Sequence, residues 1–465
     1  MPQSLWTARH ITHCEQQIGL RILSDEHSLA SFSGDFGGLA HSKPAAVFSP
    51  PTTRALQQLI AYADENGLPV TVRANGLSQS GQSLPVAGGL TLRMNLFDAV
   101  HEQEDAFIWV DANASWSALL AATLKESRVP YVTPYNLNLS IAGLLSVGGV
   151  GAASFKHGIA ASHVNALEVV TANGEIQRVD ATSLLFHACL GGQGQFGVIT
   201  KVAVQLRPCS RQVRTFFLTY SDREQWLKDL AAFKRHADFI EAFCSPALQG
   251  AKLTAKGRQP FAEWLFSLQV SFEYDSEPPE LTDFGSDIKP WKVPHRQDET
   301  MESYLFRHEP RIQAMKASGQ WELQHPWYEC LVTHDVVVSE LDDLLRSLPL
   351  YFATMVHLVP ISGRQPTGFL IAPSQAEFFS VMILNPGVPR ALVPGCLESI
   401  REMDERLLAK GGKRYLSGFL GPDLSADYWM AHFGSDYTKW STLKSRYDPK
   451  GIFCSTSCNH KTTGE

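Results

Sequence analysis

Short apolar runs and helix-period stretches alternate along the first two hundred residues. Ala45 to Phe48 is a brief apolar run closed by Pro50 and Pro51, the length of a strand rather than a helix. From Thr53 to Asn66 the apolar positions recur at helical spacing, and Val70-Thr71-Val72 returns to a strand. Ile108 to Asp111 begins another strand, with a helix predicted over Trp116 to Glu126. Leu167 to Val179 reads as a hairpin, its Asn173-Gly174 pair supplying the positive backbone angles of a tight turn between alternating strands. Leu184 to Leu190 looks helical, and Val198 to Leu206 alternates like a strand. A strand, helix, strand start followed by hairpins predicts an α+β architecture rather than a purely parallel sheet.

After Arg207-Pro208 the pattern changes, with more Asp, Glu, Lys, Trp and Phe and fewer glycines. The expected organisation is a first domain over residues 1–208, a second domain inserted over 209–400, and a return to the first over 401–465. A helix from Tyr428 to Tyr447 should stop at Asp448-Pro449, because proline cannot continue it.

Composition narrows the choice of partner. A chain of 465 residues, 44% hydrophobic, exceeds one ordinary core. Its formal charge of -7 lacks the clustered basic residues of a nucleic-acid footprint. Met1 to Leu20 has no unbroken apolar stretch, no segment reads as a membrane span, and the eight cysteines are scattered, so reduced thiols and a cytoplasmic setting are expected. Cys454, Cys458 and His460 lack a fourth ligand and read as a tail; no metal is expected.

Three glycine-rich segments carry the candidate chemistry. Arg73-Ala-Asn-Gly-Leu-Ser-Gln-Ser-Gly-Gln82 follows a strand directly, and such a loop lets several N–H groups converge into a nest for a pyrophosphate; a plain tight turn is the alternative. Leu139 to Ser154 is rich in small residues that allow backbone to lie against a planar ligand or another segment. Gly192-Gln-Gly-Gln-Phe-Gly197 has the spacing of a dinucleotide fingerprint but the wrong context, a helix before and a strand after.

Taken in order, these segments resemble the FAD-binding fold of the p-cresol methylhydroxylase and vanillyl-alcohol oxidase superfamily, and most closely the cytokinin dehydrogenases. Asp35-Phe-Gly-Gly-Leu39 with Pro44 to Val47, the Arg73 to Gln82 loop, Gly143 to Gly149, Gly191 to Thr200, His325-Pro-Trp327, His432-Phe-Gly434 and Arg446 to Pro449 are similar to family segments. The resemblance implies a two-domain protein in which both ends of the chain bind FAD and an inserted α+β domain caps the flavin and shapes the substrate pocket. It places the pyrophosphate on backbone groups of Ala74, Asn75, Gly76, Leu77 and Ser78, with Arg73 as an added donor and Gln82, Ser140, Gly143, Ser146, Gly149, Gly197 and Ile199 around the cofactor. It also implies hydride transfer from a small-molecule substrate to flavin N5, and an electron acceptor, oxygen or another.

Two departures alter what is inherited. Covalent members carry a histidine where this chain has Leu77, which has no nucleophilic nitrogen, so non-covalent FAD is expected unless a residue such as Cys189 substitutes. The family's proton-accepting aspartate falls on Tyr135, with Asn136 beside it. Tyrosine ordinarily titrates near 10 and is a poor base at neutral pH; Tyr135 stands either as a pocket-wall aromatic or as a hydrogen-bond donor, or as a base beside a cation. Glu329 is the candidate replacement carboxylate, against the alternative of a strand residue solvated on its outer face. His325 reads as structural, and His157 either faces the flavin or lies on a surface loop. The expected activity is oxidation of a small amine or alcohol; the alternative is a redox-neutral, cyclase-type step over a structural or polarising FAD.

Overall fold

The computed structural model describes residues 4–104, 106–255, 257–348, 355–362, 368–369, 371–373, 375–421 and 424–458; His460 lies outside them. Three sheets organise the described chain. The smallest is parallel, with Leu90–Arg93 between Ala46–Phe48 and Val70–Arg73. Thr53–Asn66 is the helix of this unit. The Thr52 hydroxyl accepts from the Ala55 N–H, Gly67 ends the helix in the left-handed region, and Leu56, Leu59, Ile60 and Ala63 are buried at helical spacing.

A six-stranded antiparallel sheet follows, with Val198–Pro208 at its centre between Phe107–Asp111 and Val164–Val170, and Arg128–Pro130 pairing alongside. The hairpin differs slightly from expectation. Gly174 has a φ of 80° but Asn173 is not among the residues with positive φ; its side chain instead accepts from Thr171 and the Glu175 N–H, closing the turn through its carboxamide. The predicted helix from Trp116 ends at Thr123 and tightens into a 3-10 turn over Leu124–Glu126.

The third sheet has eight antiparallel strands, running from Lys292–Thr300 at one edge to Lys413–Arg414 at the other. That last strand pairs with Tyr328–Thr333 although it lies beyond residue 400. Both faces of the sheet are covered. Tyr328, Cys330, Val332, Val356, Leu358, Ala242 and Cys244 pack on one side with the helices His334–Ser347 and Val393–Ala409. On the other, cross-strand pairing sets Phe243, His357, Met382 and Glu329 in one row.

The predicted single helix from Tyr428 is two, Ala426–Phe433 and Tyr437–Tyr447, broken at Gly434, whose φ of 53° no right-handed helix accommodates. The second helix carries Lys444, buried, which donates to Gln195 O at 2.8 Å, Asp448 Oδ2 at 2.6 Å and Phe453 O at 2.6 Å. Asp448 also accepts from the N–H groups of Ile452 and Phe453, each at 2.9 Å. The turn so fixed sends the chain back beside Val70, whose N–H donates to Ile452 O and whose carbonyl accepts from Cys454 N–H. Removing one member of a buried ion pair leaves the other uncompensated, at a cost of roughly 3–5 kcal/mol. Asp448→Ala should therefore lower unfolding stability by about that amount in urea titrations, whereas Lys439→Ala, on the same helix outside this network, should not.

Candidate functional site

The strand Val70–Arg73 ends in a loop that runs to Ser83 along one wall of a cleft of about 320 Å³. Gly76 turns the loop with a φ of 69°. The backbone N–H groups of Asn75, Gly76, Leu77 and Ser78 have no acceptor among the described residues, so four consecutive donors stand at one place on the cleft wall. Asp35 holds the loop from behind, accepting from the Gly81 N–H at 2.8 Å and from Ser78 Oγ at 2.9 Å, and burial raises its carboxyl above the usual range. Phe36 N–H donates to Gly76 O and Gly37 N–H to Ser78 O. Gln82 accepts from Gln79 and Ser80 N–H and donates to Leu416 and Gly418 carbonyls, tying this loop to the edge of the eight-stranded sheet.

The opposite wall comes from Ser140 to Val147 and from Gly194 to Ile199. Gly197 leaves no room for a side chain, since a Cβ there would lie 2.6 Å from Val169 Cγ1. The helix Leu184–Cys189 precedes this turn and the strand Val198–Pro208 follows it, the order that excludes a dinucleotide fingerprint.

Of the thirteen residues expected around the cofactor, Ala74, Asn75, Gly76, Leu77, Ser78, Gln82, Ser140, Gly143, Ser146, Gly197 and Ile199 line the cleft. Arg73 and Gly149 stand behind it. Arg73 turns its guanidinium to Gly34 O at 2.9 Å and over the Phe32 ring, and the Gly149 N–H donates to the Tyr415 hydroxyl at 2.8 Å. His157 lies away from the cleft, edge-on to Tyr131. His325 stacks on Phe36 with centroids 4.1 Å apart and donates its N–H to Gly37 O, a packing role.

Tyr135, Asn136 and Glu329 all reach the cleft. Burial, and next the Glu241 charge, hold the Tyr135 phenol well above its ordinary range, and Arg307, the nearby cation, is paired with Glu241 at 2.7 Å, an environment that disfavours a tyrosine base. Asn136 Oδ1 accepts from Asn138 N–H and Nδ2, which shapes its own loop. Glu329 is not solvated. Its strand Tyr328–Thr333 is covered on both sides, the residue is 8% exposed, and burial pushes its pKa up to about 7, opposed only by Ser417 Oγ at 3.5 Å. Cys189 also lines the cleft, with burial pushing its thiol up to about 12.

Further residues complete the walls: Gln193 from within the glycine-rich segment Gly192 to Gly197, and Asn113, Trp321, Tyr415 and Ser417, which carry no local signal in the sequence. Asn113 Oδ1, Gln193 Oε1, Gln79 Oε1 and the Tyr135 hydroxyl are buried here without hydrogen-bond partners. Together with the four free N–H groups they fit a ligand with an anionic pyrophosphate, a polyhydroxylated chain and a ring carrying donors and acceptors.

Comparison with known proteins identifies that ligand. Residues 44–180 match the family model described as an FAD binding domain, and residues 292–457 match the one described as cytokinin dehydrogenase 1, FAD and cytokinin binding. An uncharacterized oxidoreductase, ORF5 in the fasciation locus of Rhodococcoides fascians, is 30% identical over 444 residues, spanning 92% of this chain and 96% of its own. Cytokinin dehydrogenase 7 of Oryza sativa subsp. japonica is 26% identical over 495 residues, 94% and 90% of the two chains. Cytokinin dehydrogenase 5 of Arabidopsis thaliana is 25% identical over 466, 91% and 86%. With its loop of four free N–H groups and nearly end-to-end likeness to these proteins, the chain belongs to the cytokinin dehydrogenase-like FAD-dependent oxidoreductases of the p-cresol methylhydroxylase type.

Proposed function

We propose that the protein oxidises a small organic amine or alcohol, at a CH–NH or CH–OH group, with non-covalently bound FAD and with Glu329 as the base. The observation that carries this reading is Glu329 itself, a buried carboxylate on the cleft wall with a pKa near neutrality. A base matched to working pH accepts a proton in the reaction and releases it afterwards. FAD, when bound, takes the hydride at N5 and passes electrons to oxygen or another acceptor.

The chain's own groups supply the rest. The N–H groups of Asn75 to Ser78 hold the pyrophosphate, with Ala74 and Gln82 beside them. Ser140, Gly143, Ser146, Gly197 and Ile199 form the wall against the cofactor, and Arg73 and Gly149 support that wall from behind. Glu329 takes the proton from the substrate N–H or O–H, which readies the adjacent carbon to give up its hydride, and Tyr135 donates a hydrogen bond to a substrate heteroatom. Leu77 offers no nucleophile, and Cys189 stays a thiol, which supports an unlinked flavin.

Acid precipitation of the yellow protein should release all flavin colour to the supernatant; colour retained in the pellet sinks the non-covalent assignment. Anaerobic addition of substrate should bleach the flavin, whereas product formed over a persistently oxidised flavin would establish the redox-neutral alternative. Glu329 is protonated below about pH 7, so kcat/KM should rise through that pH. Glu329→Gln should lose this limb and slow turnover by about 10²–10⁴-fold. Because the folded-state pKa lies above the unfolded one, Glu329 favours folding at acid pH and loses that contribution as pH climbs to 7. Thermal melts of the FAD-loaded proteins should thus show Glu329→Gln more stable than the parent at pH 8, with the gap closing below about pH 4.5.

A further inference from the structure

Six carboxylates are buried among the described residues: Asp229, Glu241, Glu329, Glu340, Asp404 and Asp448. Four of them meet a cation. Glu241 pairs with Arg307, Glu340 with Arg406, Asp404 with Arg414 and Asp448 with Lys444. Asp229 has no cation but accepts three good hydrogen bonds, from Tyr220 at 2.9 Å, Gln225 at 2.6 Å and the Lys289 N–H at 2.9 Å. Glu329 alone has a single long contact, Ser417 Oγ at 3.5 Å. Among buried charges that is an anomaly, since the desolvated anion is left without compensation.

The surroundings do not supply a counter-charge. No Lys, Arg or His among the described residues lines the cleft. Along the sheet row, Glu329 faces Met382 and then His357, which burial keeps neutral. The phenols of Tyr135 and Tyr415 line the same cleft, the Tyr415 N–H donating to Glu329 O at 3.0 Å, and burial raises both well above their ordinary range. Around the same end are aromatic faces: Phe36 packs on Trp321 at 4.6 Å and edge-on to Trp327 at 5.3 Å. An unpaired carboxylate on a cleft also lined by Phe36, Tyr135, Trp321, Trp327 and Tyr415, with no cation among its described lining residues, is the chemistry that receives an ammonium group.

We infer that the substrate arrives as an ammonium cation, an arylalkyl or alkyl amine protonated in solution, and that Glu329 is its counter-ion before it is its base. This rests on the proposed dehydrogenase reading and narrows it from amine or alcohol to cationic amine, excluding carboxylates. Binding brings the two charges together, and the proton then moves from nitrogen to the Glu329 carboxylate. The N–H bond breaks with its electron pair left on nitrogen, an O–H bond forms on Glu329, and both charges disappear within the cleft. The resulting neutral amine carries the lone pair that expels a hydride from the adjacent carbon, with FAD as oxidant, leaving an iminium ion.

The test uses FAD-loaded protein at pH 8 without oxygen, with binding read from perturbation of the flavin absorbance. Three probes of similar shape are titrated: 2-phenylethylamine, 2-phenylethanol and 3-phenylpropionate. The amine should bind at least about tenfold more tightly than the alcohol, and the carboxylate should bind weakest. Glu329→Gln should abolish the advantage of the amine over the alcohol. Equal binding of amine and alcohol by the parent protein overturns the inference, as does an amine preference that survives in Glu329→Gln. Amine-selective binding with no bleaching would overturn the dehydrogenase reading and leave charge selection standing; bleaching by substrates with no charge preference would do the reverse.

Discussion

The architecture depends on the buried contact of Lys444 with Asp448. One ammonium group reaches Gln195 O, Asp448 and Phe453 O, and Asp448 then takes the N–H groups of Ile452 and Phe453. Residues from three distant parts of the chain meet there. Gln195 lies within the Gly194 to Ile199 segment of the cleft lining, and Phe453 bridges to Val70, on the strand that leads into the Ala74 to Ser83 loop. An ion pair so buried is costly to form, and its value lies in orientation: the remaining hydrogen bonds can be satisfied only when both walls are in register.

Around that frame the polar groups fall into two classes. Those that support the cleft are largely paired within the protein: Gln82 with four backbone groups, Glu241 with Arg307 and His308, and Asp35 through Oδ2 with Ser78 and Gly81, its Oδ1 having no partner among the described residues. Those that face into it are left wanting: the N–H groups after Ala74, the amide oxygens of Gln79, Asn113 and Gln193, the Tyr135 hydroxyl and Glu329. A rigid support carrying unsatisfied groups at its surface is the arrangement in which ligand binding, rather than folding, completes the hydrogen bonding.

Much of the frame was legible from local pattern. Thr53–Asn66 was bounded to the residue because its cap and its left-handed glycine are local features, and the helix before and strand after Gly192 to Gly197 ruled out a false fingerprint. The two helices at the C-terminus were read as one because their apolar spacing continues across Gly434, and only its φ reveals the break. The burial of Glu329 was hidden for another reason. A strand covered on both faces loses the alternation that separates inside from outside, so Tyr328 and Glu329 point to opposite sides and are both buried. Tyr415 and Asn113 join the cleft only through long-range pairing of sheets, for which a single sequence carries no spacing signal.

Gln82 gives the cleft a property that its separate walls lack. The same side chain steadies the Ala74 to Ser83 loop through Gln79 and Ser80 and anchors the segment Leu416 to Gly418, which carries Ser417, the hydroxyl that donates to the Glu329 carboxylate. The loop proposed to hold the cofactor and the carboxylate proposed as base are therefore mechanically joined by one carboxamide. Thermodynamic reciprocity then requires that, to the extent the cofactor steadies the base, occupancy at the base steadies the cofactor by the same free energy. For a flavin without a covalent tether, retention would then be governed partly by substrate, and a working enzyme would hold its cofactor more firmly than an idle one.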